Sequence, residues 1–194
     1  PTKPKDGKLL LKAMLYNRGY GSVEYRTPED VLTVTFADEP TLPPQKLPAV
    51  HRTITPPSTK GATNVNVVLT LPHVAAGEKA EFHVNGVPSW KAEAYPAKIG
   101  ETQVWTIKND SSFAHPFHLH GFFFLPLDEK LQPIRPMVWK DTINVPLEKT
   151  VRFVVKFDER PGMWMFHCHI LDHAEGGLMG HVHLTQEGQA GHTH

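Results

Sequence analysis

The sequence has 194 residues, enough for one domain or for one domain and part of another. Its 20 basic and 20 acidic residues cancel without forming a charged block, which argues against a nucleic-acid or anionic-membrane partner. No apolar stretch is long enough to span a membrane, and the single cysteine excludes an internal disulfide and a zinc site made of several cysteines.

Short segments rich in Val, Ile, Thr and Phe alternate with proline and glycine, which predicts β structure along the chain. Helical periodicity is weak throughout. Strand candidates lie, in chain order, at 9–16, 31–36, 64–71, 80–86, 102–109, 118–125, 150–157, 163–170 and 179–185. The pattern therefore predicts an all-β sandwich.

Four parts of the chain are predicted from this order of elements. Residues 38–61 carry six prolines and are interpreted as an extended linker. The preceding stretch, 1–37, holds two strand candidates and is too short to form a core alone, so it is interpreted as the tail of a preceding domain. The sandwich itself is assigned to 62–187, and 188–194 form a polar tail.

Two short runs hold six of the 13 histidines: HPFHLHG at 115–121 and FHCHILDH at 166–173. In the second run the only cysteine, Cys168, stands between His167 and His169. Because successive side chains of a strand point to opposite faces, these two histidines are predicted to share one face. Cys168 is then predicted to point to the other face.

The same alternation applies to the first run. His118 and His120 share a face, whereas His115 tends to fall opposite them. One face therefore offers four imidazoles, and the other offers Cys168 and His115, with His173 arriving from the loop after the strand. Two imidazoles and one thiolate form the trigonal ligand set of a blue-copper site, and the four opposing imidazoles could hold more copper.

Two further pairs of residues, each separated by one position along a strand, lie near the end of the predicted sandwich. His181 and His183 share a strand face, and a structural role is preferred there over metal binding. Met163 and Met165 are predicted to be core residues. The sequence contains no methionine-rich insert that could collect cuprous ions, which favours an organic substrate.

At these motifs the sequence resembles the C-terminal cupredoxin domain of multicopper oxidases, the family of laccases, ascorbate oxidases and bacterial metallo-oxidases. HPFHLHG and HCHILDHAEGGLM carry the resemblance, and NGVPSW, WKDTINV and PGMWMFHCH support it. It is strong from about 80 to 184 and weak before 62. It implies a cupredoxin-like Greek-key β-sandwich, preceded by a fragment of a second cupredoxin domain.

The resemblance also assigns ligands. It implies a type 1 copper held by His115, Cys168 and His173. It implies a type 2 copper held by His118, and a type 3 copper pair held by His120, His167 and His169. The family uses four coppers to couple four one-electron oxidations of a reducing substrate to the reduction of dioxygen to water.

Two positions distinguish this sequence within the family it resembles. Leu178 stands at the axial type 1 position, where ascorbate oxidases and many bacterial metallo-oxidases have Met and many laccases have Leu or Phe. A non-ligating axial residue is therefore expected. Met179 is the alternative axial group. Ala174 stands where many bacterial members carry a carboxylate, which leaves Asp172 and Glu175 as candidates for proton transfer. The preferred interpretation is that both acids are solvated loop charges, and proton delivery could equally come from the part of the oxidase outside this sequence.

The family's trinuclear cluster takes eight histidines in four His-X-His pairs, and two of these pairs occur in the expected context here. The resemblance therefore implies a partner, the N-terminal polypeptide of the same oxidase, and a periplasmic or extracellular location. The expected function is oxidation of phenolic or similar substrates. The alternatives are a cuprous or other metal-ion oxidase, a non-enzymatic electron-transfer cupredoxin and, ranked lower, a copper nitrite reductase.

Overall fold

The computed structural model describes residues 4–17, 27–37, 53–72 and 77–186, together with 40, 43, 45, 46 and 49. The chain divides into two compact units, Pro1–Thr53 and Ile54–His194. The predicted tail, 188–194, and much of the predicted linker lie outside the described residues.

In the first unit, strands β1 (Lys8–Ala13) and β2 (Glu29–Thr35) pair antiparallel. Every residue of both strands is exposed. Apolar side chains occupy both faces of this hairpin, among them Leu9, Leu10, Leu11, Val31, Leu32 and Val34. A two-stranded hairpin alone is at best marginally stable in water.

The described part of the second unit contains ten strands, one 3-10 turn and one short helix. The strands are β3 (Thr63–Thr70), β4 (His83–Val84), β5 (Tyr95–Lys98), β6 (Thr102–Asp110), β7 (His115–Leu119), β8 (Phe124–Leu127), β9 (Thr142–Val145), β10 (Thr150–Lys156), β11 (Gly162–Cys168) and β12 (Met179–Thr185). The turn spans Ser89–Lys91, and helix α1 spans Leu171–Glu175. In the described residues no helix has the length and hydropathy needed to cross a bilayer.

These strands form two five-stranded sheets. The first sheet has the order β4-β3-β6-β10-β8, and the second has the order β5-β12-β11-β7-β9. Most neighbours are antiparallel, but β3 pairs parallel with β6, and β12 pairs parallel with β5. The prediction of an all-β sandwich is confirmed.

The core lies between the two sheets because each contributes every second side chain to it. Trp105 of the first sheet lies edge-on to Phe166 of the second, with ring centroids 5.4 Å apart, and its indole N–H donates to the Gln103 Oε1 at 2.9 Å. Phe117, beside Phe166, is also in this cluster. Burying each such ring stabilises the fold by roughly 1.5–3 kcal/mol, so this cluster fixes the positions of β7 and β11.

One strand prediction is wrong because it runs through a turn. The stretch 118–125 is not one strand: β7 ends in the second sheet, and β8 begins in the first. Gly121 lies between them with φ of 75°, and a Cβ there would collide with the Trp164 ring. Strands β5 and β9 and helix α1 were not predicted, since each is only four or five residues long.

The prediction that Met163 and Met165 are core residues is also wrong. Met163 is 56% exposed, and Met165, two residues later on the same face of β11, is half-buried. The opposite face of the strand carries Phe166, which fills the core. Alternation was therefore correct, but the assignment of the inward face to the methionines was not.

Candidate metal centre

Strands β7 and β11 are neighbours in the second sheet and carry the two histidine runs. Their register places His118 opposite His167, and Phe117 opposite Cys168. His115 and Cys168 are buried on the inward face, whereas His118 and His167 are partly exposed on the outward face. The structure thus has the two-sided arrangement that the alternation predicts.

The inward face brings one thiol and two imidazoles together. Cys168 Sγ lies 3.7 Å from His115 Nδ1 and 3.7 Å from His173 Nδ1, and these two nitrogens are 3.1 Å apart. His173 does not lie in a loop, as predicted, but in helix α1, which begins three residues after β11 ends. All three side chains are at most 2% exposed.

Hydrogen bonds around His115 fix which of its nitrogens can bind a metal. Ser111 Oγ donates to Asn109 Oδ1 at 2.8 Å, so it accepts from His115 Nε2–H, also at 2.8 Å. Asn109 is fully buried and donates to the carbonyl oxygens of Phe113 and Val145. His115 Nδ1 therefore carries a lone pair and faces the thiol, as expected of an oriented metal ligand.

Burial also sets the charge of this imidazole. Loss of solvent, followed by repulsion from His173, lowers the pKa of His115 to about 3. A metal binds neutral imidazole, so at neutral pH this side chain needs no deprotonation. A buried thiol with two imidazoles fits the trigonal set of a blue-copper site.

The surroundings of the thiol are mostly apolar. Leu178 is 2% exposed and lines the same small pocket as Cys168 and His115. Phe82 covers His173, with ring centroids 4.3 Å apart. The Ile170 N–H donates to Cys168 Sγ at 3.4 Å. Met179, the alternative axial group, instead lies on the outward face of β12, opposite His167.

The outward face holds a second donor group. His118, His167 and His169 offer ligand atoms that all lie within 4.8 Å of one another. His120 joins them, since its Nε2 is 2.9 Å from His167 Nε2. Partial burial lowers the pKa of His118 and of His120, and the neighbouring imidazoles lower both further.

The outward imidazoles are also oriented by hydrogen bonds, made by the ring nitrogen that faces away from the donor group. His118 Nδ1–H donates to the Asp141 carbonyl oxygen, at 3.0 Å, with Thr142 Oγ1 equally close. His167 Nδ1–H donates to the Cys168 carbonyl oxygen at 2.8 Å. Both rings therefore present Nε2 to the group, whereas the inward His115 presents Nδ1.

The two donor groups share one strand. Cys168 belongs to the inward group, and the residues bonded to it on either side, His167 and His169, belong to the outward group. The hydrogen bond from His167 to the Cys168 carbonyl adds a second, shorter connection. Any metal ions held by the two groups would be joined by an unbroken covalent path through the main chain.

The two acidic candidates are not part of either donor group. Asp172 and Glu175 are exposed on helix α1, and neither belongs to a donor group. Their role in proton transfer stays a prediction. The sequence analysis did not predict Ser111, Asn109 and Thr142, whose hydrogen bonds orient the imidazoles. For Asn109 and Ser111 the motif N-D-S-S, shortly before HPFHLHG, could have indicated such a role.

Comparison with known proteins decides the family. The family profile described as Multicopper oxidase matches residues 61–187, well over half of the chain. The chain belongs to the multicopper oxidase family. Membership implies copper as the cofactor, and the inward and outward donor groups fit that metal.

Individual multicopper oxidases are similar to about half of the chain. A multicopper oxidase of Staphylococcus epidermidis is 35% identical over 97 residues, which cover 47% of this chain and 22% of that protein. A laccase of Bacillus subtilis is 31% identical over 108 residues, or 45% of this chain and 21% of that protein. The chain thus matches about a fifth of the length of these relatives.

A solved structure of the family extends the likeness. The multicopper oxidase of Campylobacter jejuni, described as a metallo-oxidase, is 25% identical with a TM-score of 0.72, and the match covers 95% of this chain and 42% of that one. The cupredoxin-like fold that the sequence motifs imply is confirmed.

Proposed function

We propose that this chain is the C-terminal part of a laccase-like multicopper oxidase. The observation that carries the proposal is the position of Cys168, buried with two imidazoles on one face of β11 and flanked by two outward histidines. An electron-transfer cupredoxin needs only the inward group. The outward group, which His120 joins, therefore favours an oxidase over that alternative.

The ligand roles follow the two groups. His115, Cys168 and His173 would hold the type 1 copper. His118 would hold the type 2 copper, and His120, His167 and His169 would hold the type 3 pair. Copper bound at the inward group would supply single-electron transfer from the substrate, and copper bound at the outward group would supply the four-electron reduction of dioxygen to water.

The protein residues prepare and connect these sites. Ser111 holds His115 with Nδ1 toward the thiol, and Leu178 and Phe82 keep water away from it. The Cys168 main chain and its hydrogen bond to His167 provide the electron path between the faces. Asp172 and Glu175 remain the proton-transfer candidates of this chain.

The outward imidazoles need a partner. Four histidines from this chain are half of the family's complement, so we propose that the N-terminal polypeptide of the same oxidase supplies the others. The apolar hairpin of 1–37 fits a fragment of the preceding domain, joined through 38–61 to the sandwich of 62–187. A periplasmic or extracellular location follows from the resemblance.

Two substrate classes are consistent with the site. Phenolic donors suit an apolar axial position, and a relative in Bacillus subtilis is named a laccase. A cuprous or other metal-ion oxidase is the second candidate. It is favoured by the outward position of Met163, and the Campylobacter jejuni protein is described as a metallo-oxidase.

The oxidase proposal predicts a fixed reaction stoichiometry. In the complete oxidase we expect about four molecules of a one-electron phenolic donor to be consumed per dioxygen, because water formation takes four electrons. Oxygen-electrode traces with donor absorbance measure the ratio. A ratio near two, with hydrogen peroxide as product, would contradict the proposed role of the outward group.

The axial assignment gives another prediction. Leu178→Met should lower the type 1 reduction potential by roughly 60 mV or more, a tenfold change in the one-electron equilibrium. A thioether next to copper stabilises the cupric state relative to an apolar side chain. Redox titration of the blue absorption measures the shift.

Met179→Leu is the matched control, since Met179 lies on the outward face and should not affect this potential. A large shift in that variant, with none for Leu178→Met, would show that the two residues are assigned the wrong way round.

A further inference from the structure

The outward face of β11 and β12 carries soft donor atoms beyond the two groups described above. Met163 and Met165 face outward on β11, and His181 and His183 face outward on β12, each partly exposed. The alternate residues of β12 are buried, which fixes the direction of the two imidazoles. We call these four residues the methionine–histidine ladder.

The strand register pairs each thioether with an imidazole. Met163 lies opposite His183, and Met165 lies opposite His181. Side chains directly opposite on one face of an antiparallel pair have Cβ atoms about 4.5–5.5 Å apart, and diagonal neighbours about 7–8 Å apart are within reach of long side chains. The flexible methionines can therefore bring both sulfur atoms to a point between the two imidazoles.

We propose that the methionine–histidine ladder binds a soft monovalent cation, cuprous copper. Thioethers select cuprous ion over hard cations, and imidazole suits copper. On the other side of β12 the residue opposite His183 is Pro96, whose side chain offers no ligand atom. The four ladder side chains themselves offer two sulfur and two nitrogen atoms and no oxygen, the ligand atom that magnesium and calcium prefer.

The ladder ends at the outward donor group. Met179 lies opposite His167 in the next outward pair of the same two strands. Soft donors therefore continue along the sheet from His183 to the imidazoles of the outward group. A cuprous ion held by the ladder would lie beside that group, but its binding does not depend on the proposed oxidase activity.

Silver ion tests the site, because it is a soft monovalent cation and does not undergo the redox chemistry of copper. The complete 194-residue chain is labelled with carbon-13 at its methionine methyl groups and titrated with silver nitrate under reducing-agent-free conditions. We expect the methyl resonances of Met163 and Met165 to shift together in a single transition, as the ladder takes up one ion. Met137, which packs against the second core cluster, should not shift.

Two comparisons separate the ladder from other silver binding. Met14 is 72% exposed and reports binding by a lone thioether, so it should respond only at about tenfold higher silver or above. In His181→Asn/His183→Asn the Met163 and Met165 shifts should fall to the level of Met14, while the Met137 resonance shows that the fold is kept.

If silver fills Cys168 and the histidine groups and the two ladder methionines do not move, or move no earlier than Met14, the proposal is overturned. Shifts that persist in the double histidine variant overturn it as well. Should that variant fail to fold, Met163→Leu/Met165→Leu replaces it, and Met14→Leu is its control. We expect the double methionine variant to bind one tightly held silver ion fewer per chain than the control. An unchanged silver count then overturns the site.

Discussion

Cys168→Ser is expected to abolish the intense blue absorption of the complete oxidase and to reduce substrate oxidation to background. The absorption arises from a thiolate bound to copper, and Cys168 is the only cysteine in the sequence. Its side chain belongs to the inward group alone, so the outward histidines should keep most of their copper. Absorption spectra, oxygen uptake and metal analysis of the purified variant measure the three effects.

His118→Ala is the matched comparison from the opposite face. It should preserve the blue absorption, since His118 faces away from the thiol, and it should abolish oxygen reduction. Loss of all copper in both variants would mean that the two groups do not fill independently. The two-sided arrangement would then be too simple an account of the site.

The division into two donor groups was predictable because it depends only on strand alternation. Once Cys168 lies in a strand, His167 and His169 must point to the other face, whatever the strand pairs with. Local spacing also predicted the pairing of His118 with His120. The sequence alone therefore predicts which histidines accompany Cys168 and which lie on the opposite face.

Features that depend on register between distant strands could not be predicted in this way. Nothing in the sequence states that Met163 lies opposite His183. The connection between β11 and β12 is compatible with several registers of the two strands, and each register would pair different residues. The methionines were assigned to the core because they alternate within a strand, and alternation does not say which face turns inward. Which face turned inward was decided by Phe166 and Trp105, two residues far apart in the chain.

The hydrogen bonds that orient His115 and His118 could not be predicted, for a different reason. Ser111 and Asn109 look like ordinary turn residues in sequence, and their role appears only when His115 reaches them at the end of β6. Thr142 likewise meets His118 through pairing of β7 with β9, a strand too short to predict.

A polypeptide of these 194 residues, purified without any partner, is expected not to reduce dioxygen to water. In the proposed assignment the inward group has all three ligands of a type 1 copper, so the folded polypeptide should bind one copper there and turn blue. The outward group offers His118, His120, His167 and His169, and four imidazoles leave three coppers badly under-coordinated. Their remaining positions would be open to water.

The polypeptide would be refolded with cupric ion, and its copper content, blue absorption and oxygen uptake with a phenolic donor would be measured. We expect blue absorption with fewer than four coppers and oxygen uptake at background, because substrate electrons reach the inward site and have no complete cluster to enter. Addition of the N-terminal polypeptide should restore uptake. Four coppers and full turnover without a partner would refute the shared cluster, and would point to His181 and His183 as the imidazoles that complete it.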